Sequence, residues 1–141
     1  MNAPVGSTSP AVEVRNLSRR YGARQALDGV TLEVPRGQVF GLVGANGAGK
    51  TTLLKHVLGL LSAQAGTVRV FGLDPVADPA AVLGRIGFLS EDRDLPGWMR
   101  VEELMRYTMA FYPRWDVDYA ARLQGDFALD RKSTRLNSSH T

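Results

Sequence analysis

Residues 41–54 read GLVGANGAGKTTLL, and no other stretch of the 141-residue chain constrains its fold as tightly. Gly44 to Thr51 fits G-x-x-x-x-G-K-S/T at every fixed position. Gly44, Gly47 and Gly49, with Ala45, Asn46 and Ala48 between them, let the backbone turn its N–H groups inward around an anion. The segment then opens a helix, whose first N–H groups lack intrahelical partners and whose dipole favours negative charge. Lys50 is placed to reach the β- and γ-phosphate oxygens of a nucleotide, Thr51 to offer its hydroxyl to Mg²⁺, and Thr52 to hold the α-phosphate. The chain uses 14 arginines and only 3 lysines, and one of those lysines is Lys50. A compact ammonium suits that position and a planar guanidinium does not.

The flanking segments predict an α/β domain. VFGLVG (39–44) is almost wholly apolar, which predicts a strand buried on both faces of a parallel sheet. Leu53, Leu54, Val57, Leu58 and Leu61 recur at helical spacing. His56, between them, reads as an exposed helix residue with no companion ligands for a metal. Ahead of the loop, VEVRNL (12–17) and VTLEV (30–34) alternate apolar and polar residues as half-buried strands do. TVRVF (67–71) and IGFL (86–89) read as two more strands, with a short helix near Ala80–Leu83. VEELMRYTMAFY and VDYAARLQGDF read as amphipathic helices parted by Pro113, the second capped by Asp116.

Composition excludes several classes. There is no cysteine, so disulfides, thiolate metal sites and cysteine nucleophiles are ruled out. The formal charge of +3 gives little reason to expect nucleic acid as a partner. The N-terminus lacks the pattern of a secretory signal, and no apolar run is long enough to span a bilayer. The expected location is therefore cytoplasmic. Asp94-Leu-Pro-Gly97 fits the short D-x-x-G pattern of GTPases, but no N-K-x-D follows to read guanine.

Tyr21, in the turn RRYG, lies 23 positions ahead of Gly44 and offers a flat ring for a base. With it, residues 12–130 resemble the N-terminal part of the ATP-binding subunit of an ABC transporter. The resemblance implies a phosphate-loop NTPase core with an N-terminal antiparallel β-subdomain and the start of a helical subdomain, incomplete. It implies ATP and Mg²⁺ as ligands and Tyr21 as the ring that stacks on adenine. Gly44 to Thr52 match its Walker A motif. IGFLSED matches its Q-loop, where Glu91 stands in place of the usual glutamine, a carboxylate able to reach Mg²⁺. Trp98 and Met99 fall in the region that docks on the membrane subunit, and Arg100 replaces the threonine that usually caps the next helix. The implied partners are a transmembrane permease subunit and a second nucleotide-binding subunit, which would hold the protein at the inner face of the cell membrane.

The family's signature motif, its Walker B carboxylates and its switch histidine have no match in the chain. After Asp130 the sequence turns into RKSTRLNSSHT, with Leu136 its only apolar residue. The expectations are a loose tail over 1–11, an incomplete domain over 12–130 and a polar, non-native tail over 131–141. ATP binding without hydrolysis is expected. The alternatives are a soluble ABC-type ATPase without a membrane partner, and a nucleotide-binding fragment with no catalytic role.

Overall fold

The computed structural model describes residues 9–89 and 96–129. Two compact units divide the chain, residues 1–86 and 87–141.

In the first unit, β1 (Val12–Tyr21) and β2 (Arg24–Val34) form an antiparallel hairpin closed by Gly22 and Ala23. β3 (Ala65–Val70) pairs antiparallel with the other edge of β1, giving the order β2-β1-β3. The alternation seen in the sequence sets the register: Val14 lies between Leu32 on β2 and Val68 on β3. Leu17 is also fully buried, although it stands three residues further on. A register shift between Val14 and Leu17 returns it to the inner face. Asn16 sits within that shift at φ +49°, and its N–H donates to Thr31 Oγ1 at 2.9 Å.

Helix α1 (Lys50–Val57) brings Leu53 to this sheet, and α2 (Pro79–Leu83) brings Val82. With Val14, Leu17, Leu27, Val68 and Val70 they form one buried cluster. Phe71 and Gly72 close the turn after β3 at positive φ, with Val70 and Leu73 bonded in both directions at 2.8 and 3.0 Å.

Two predicted strands do not form. Residues 39–44 pair with no strand among the described residues, and Val39 and Val43 are 104% and 95% exposed. Residues 86–89 are likewise outside any strand, with Leu89 93% exposed. A strand exists only through hydrogen bonds to at least one neighbouring strand, and a central strand of a parallel sheet needs two. Residues 39–44 join neither edge of the antiparallel sheet, and their apolar side chains stay in solvent.

His56 departs from expectation in the other direction: it is 1% exposed. It stands three residues after Leu53 and so shares that residue's inward face, while Leu54 is turned out. Its Nδ1 lies 2.8 Å from Thr52 O, and since a carbonyl only accepts, Nδ1 carries the proton. Nε2 is then a buried lone pair with no donor. Such an orphan costs about 1–3 kcal/mol, more than one neutral hydrogen bond returns. His56→Leu is therefore expected to raise stability by roughly 1 kcal/mol, read from the midpoint of a urea unfolding curve. A lowered midpoint would mean that Nε2 is satisfied.

The second unit holds α3 (Val101–Met109) and α4 (Val117–Asp126). Asp116 caps α4 as its sequence position implies, accepting from Tyr119 N at 2.8 Å. At α3 the cap residue is Arg100, whose guanidinium has no lone pair to offer the first turn. Glu103 compensates from inside the helix, its Oε2 accepting from Arg100 N at 3.0 Å. Glu91, Asp94 and the 131–141 tail lie outside the described residues.

Candidate functional site

The site is built on the β1–β2 hairpin and the loop that opens α1. Tyr21 ends β1 at the hairpin turn and is 45% exposed. The Arg19 guanidinium, two residues back on the same face of the strand, lies 4.9 Å from the centre of the Tyr21 ring. That cation–π contact restrains the ring on one face and leaves the opposite face for a flat ligand. Arg19 is anchored in turn by a bond from Nη1 to Ser62 O at 3.2 Å.

The loop is seated against β2 through Gly49. This residue precedes the first turn of α1 at φ +86°. A Cβ built on it would lie 2.4 Å from Ala26 O and 2.9 Å from Leu27 Cδ2. Only glycine meets both demands, and the strand that follows Tyr21 thereby fixes where the helix begins. Leu53 N donates to Gly49 O at 2.8 Å, the first rung of that helix. No side chain caps this end, so its leading N–H groups remain open to an anion.

Lys50 folds back over the loop. Its Nζ donates to Gly44 O and, at 2.9 Å, to Ala45 O. Ala48 N donates to Ala45 O at 3.1 Å, closing a tight turn through Asn46 and Gly47. Thr51 is exposed at the first turn of α1 and Thr52 is half-buried. Tyr21, Gly44 to Gly49 and Lys50 to Thr52 are thus carried by one hairpin and the loop packed on it. The arrangement has an uncapped helix start, three glycines without side chains and a lysine over the loop. Thr51 is the one metal-ligand candidate named from the sequence that falls among the described residues. No group of three or more His, Cys, Asp or Glu residues converges there.

One contributor has no local sequence signal. Arg24 Nη2, from the first residue of β2, donates to Gly47 O at 3.1 Å.

In the second unit, Trp98, Met99, Glu103, Arg106 and Tyr107 line an open groove of about 300 Å³. Trp98 is 77% exposed, so it is not buried beneath the helices. Tyr107 is braced edge-on by Phe111, with ring centres 5.2 Å apart.

The comparisons with known proteins agree with this geometry. The ABC transporter family model matches residues 27–140. Among curated relatives, the daunorubicin resistance ATP-binding protein DrrA3 of Streptomyces coeruleorubidus is 44% identical over 96 residues, 65% of this chain and 30% of the relative. The probable multidrug ABC transporter ATP-binding protein YbhF of Escherichia coli is 34% identical over 101 residues, 72% of this chain and 18% of the relative. A solved ATP-binding subunit of an ABC transporter superposes with a TM-score of 0.79 at 29% identity, covering 93% of this chain and 56% of that one. The chain therefore spans about a third or less of these curated relatives and just over half of the solved subunit. With its phosphate loop seated on a β-hairpin that presents an aromatic ring, the chain belongs to the ABC transporter family and corresponds to the N-terminal part of its ATP-binding domain.

Proposed function

We propose that the chain binds ATP through the hairpin and loop of its first unit, as part of an ATPase subunit that powers transport across a membrane. The observation that carries this reading is the seating of Gly49 on Ala26, which makes the Tyr21 platform and the phosphate loop one piece. Adenine stacks on the free face of Tyr21. The polyphosphate lies along Gly44 to Thr52 with Lys50 against its terminal oxygens. The Thr51 hydroxyl, with Glu91 as a further ligand, would hold Mg²⁺, which when bound would neutralise phosphate charge.

Turnover is a separate matter. It needs a polarised water and a closed site around the developing charge. In the family those tasks fall to carboxylates and to a partner subunit's signature motif that this sequence does not contain. The chain by itself holds ATP without cleaving it. The groove around Trp98 and Met99 receives the permease, and a second nucleotide-binding subunit completes the active site at the inner face of the membrane. No helix among the described residues is long and apolar enough to cross a membrane.

The test is a fluorescent-ATP titration of Tyr21 variants. Tyr21→Ala is expected to weaken binding by about 1–3 kcal/mol, the value of one base–aromatic stack. Tyr21→Trp keeps a flat face and is expected to bind like the parent. Equal affinities for the alanine and tryptophan variants would remove Tyr21 from the site.

A further inference from the structure

We infer that Arg24 is a positioning residue of the nucleotide site: it holds the Gly47 peptide group from outside the loop and so orders the N–H groups that face the phosphates. The inference rests on the reading of this loop as a nucleotide site and adds to it a residue that lies outside the loop motif.

The geometry gives Arg24 this role through the carbonyls of the loop. Lys50 gathers the carbonyls of Gly44 and Ala45. Arg24 takes that of Gly47, from the other end of the same turn, at 3.1 Å. A trans peptide is planar, so holding the Gly47 carbonyl toward Arg24 turns the Ala48 N–H to the opposite side. There it meets Ala45 O at 3.1 Å, a bond that an incoming phosphate oxygen can replace. The carbonyl dipoles of Gly44, Ala45 and Gly47 thus point at cations, and no carbonyl of these three is left to repel an anion.

The space around Gly47 agrees. Its φ is +84°, and a Cβ there would lie 3.0 Å from Arg24 Nη2, so the guanidinium occupies the volume a side chain at 47 would need. Arg24 is also the direct cross-strand partner of Tyr21. One two-residue turn therefore carries the base platform on one strand and the loop's latch on the other. Stacking of a base on Tyr21 and ordering of the Gly47 peptide are linked through that turn. The guanidinium is exposed and, among the described residues, has no carboxylate partner to draw it away from the Gly47 carbonyl.

Arg24→Gln and Arg24→Lys in the 141-residue chain separate charge from shape. Titration with Mg·ATP, inorganic triphosphate and adenosine is the first arm. Arg24→Gln is expected to weaken ATP and triphosphate by about tenfold, the loss of one charged hydrogen bond, with adenosine unchanged. Arg24→Lys is expected to recover part of the loss, because it keeps the charge without the fork. Unchanged ATP affinity, or an equal loss for adenosine, would overturn the assignment. Amide hydrogen exchange without nucleotide is the second arm. Faster exchange at Ala48 in Arg24→Gln, with β1 and β2 unchanged, is the expected result, and unchanged exchange at Ala48 contradicts it. If the parent chain binds no ATP, the proposed function fails, while the exchange arm still decides whether Arg24 orders the loop.

Discussion

Lys50→Ala is expected to abolish measurable ATP binding while leaving the fold in place. Lys50 is half-buried and lends nothing to the cluster formed by Val14, Leu17, Leu27, Leu53, Val68, Val70 and Val82. Among the described residues its side chain bonds through Nζ to Gly44 O and Ala45 O. Removing it leaves two loop carbonyls without their cation and leaves the terminal phosphates facing those same carbonyls. Charge-assisted bonds are about twice as strong as neutral ones, and a phosphate meeting bare carbonyls adds repulsion to the loss. A fluorescent-ATP titration reads the binding, and a thermal melt reads the fold. Alanine at position 50 also has the highest helix propensity, so α1 should persist. Retained affinity in this variant would mean that the phosphates bind elsewhere.

The second large effect concerns hydrolysis. Joining a family-like C-terminal half after Asp130 is expected to take the protein from no turnover to Mg²⁺-dependent phosphate release. The rate should rise more than linearly with protein concentration, because each active site in this family is completed by a second subunit. The same extension should give residues 39–44 their sheet neighbours. Val39 and Val43, fully exposed in this chain, should then become protected from solvent, which hydrogen exchange across 39–44 would show. A rate strictly proportional to concentration would contradict an active site shared between subunits.

The parts of this molecule that the sequence made legible are those whose cause is local. The phosphate loop is one, because the positive-φ turns at Gly47 and Gly49 and the reach of Lys50 answer demands made within a few residues. The β1–β2 hairpin is another: alternation at 12–14 and 30–34 reports which side chains face inward, and the register shift before Leu17 departs from it. Asp116 is a third, since a cap acts on the N–H groups just after it. What escaped the sequence depends on residues far along the chain. VFGLVG has the composition of a central strand, but strand formation belongs to a strand and its neighbours together, and the described residues supply none. Arg24 meets Gly47 across 23 positions, and no periodicity marks such a contact. His56 was visible by spacing, three residues after Leu53, yet its polarity argued for solvent. Packing prevailed over polarity there, because Nδ1 could pair with its own helix and only Nε2 was left bare.

The central proposal is that residues 21–52 suffice to hold ATP and that the 141-residue chain does not cleave it. Equilibrium dialysis of the 141-residue chain against γ-labelled Mg·ATP, with Lys50→Ala as the blank, tests both halves at once. The expected result is label retained above the blank and recovered from the protein as intact ATP after prolonged incubation. No retention above the blank would contradict the binding site, and steady release of labelled phosphate above the blank would contradict the claim that catalysis needs residues this chain does not have.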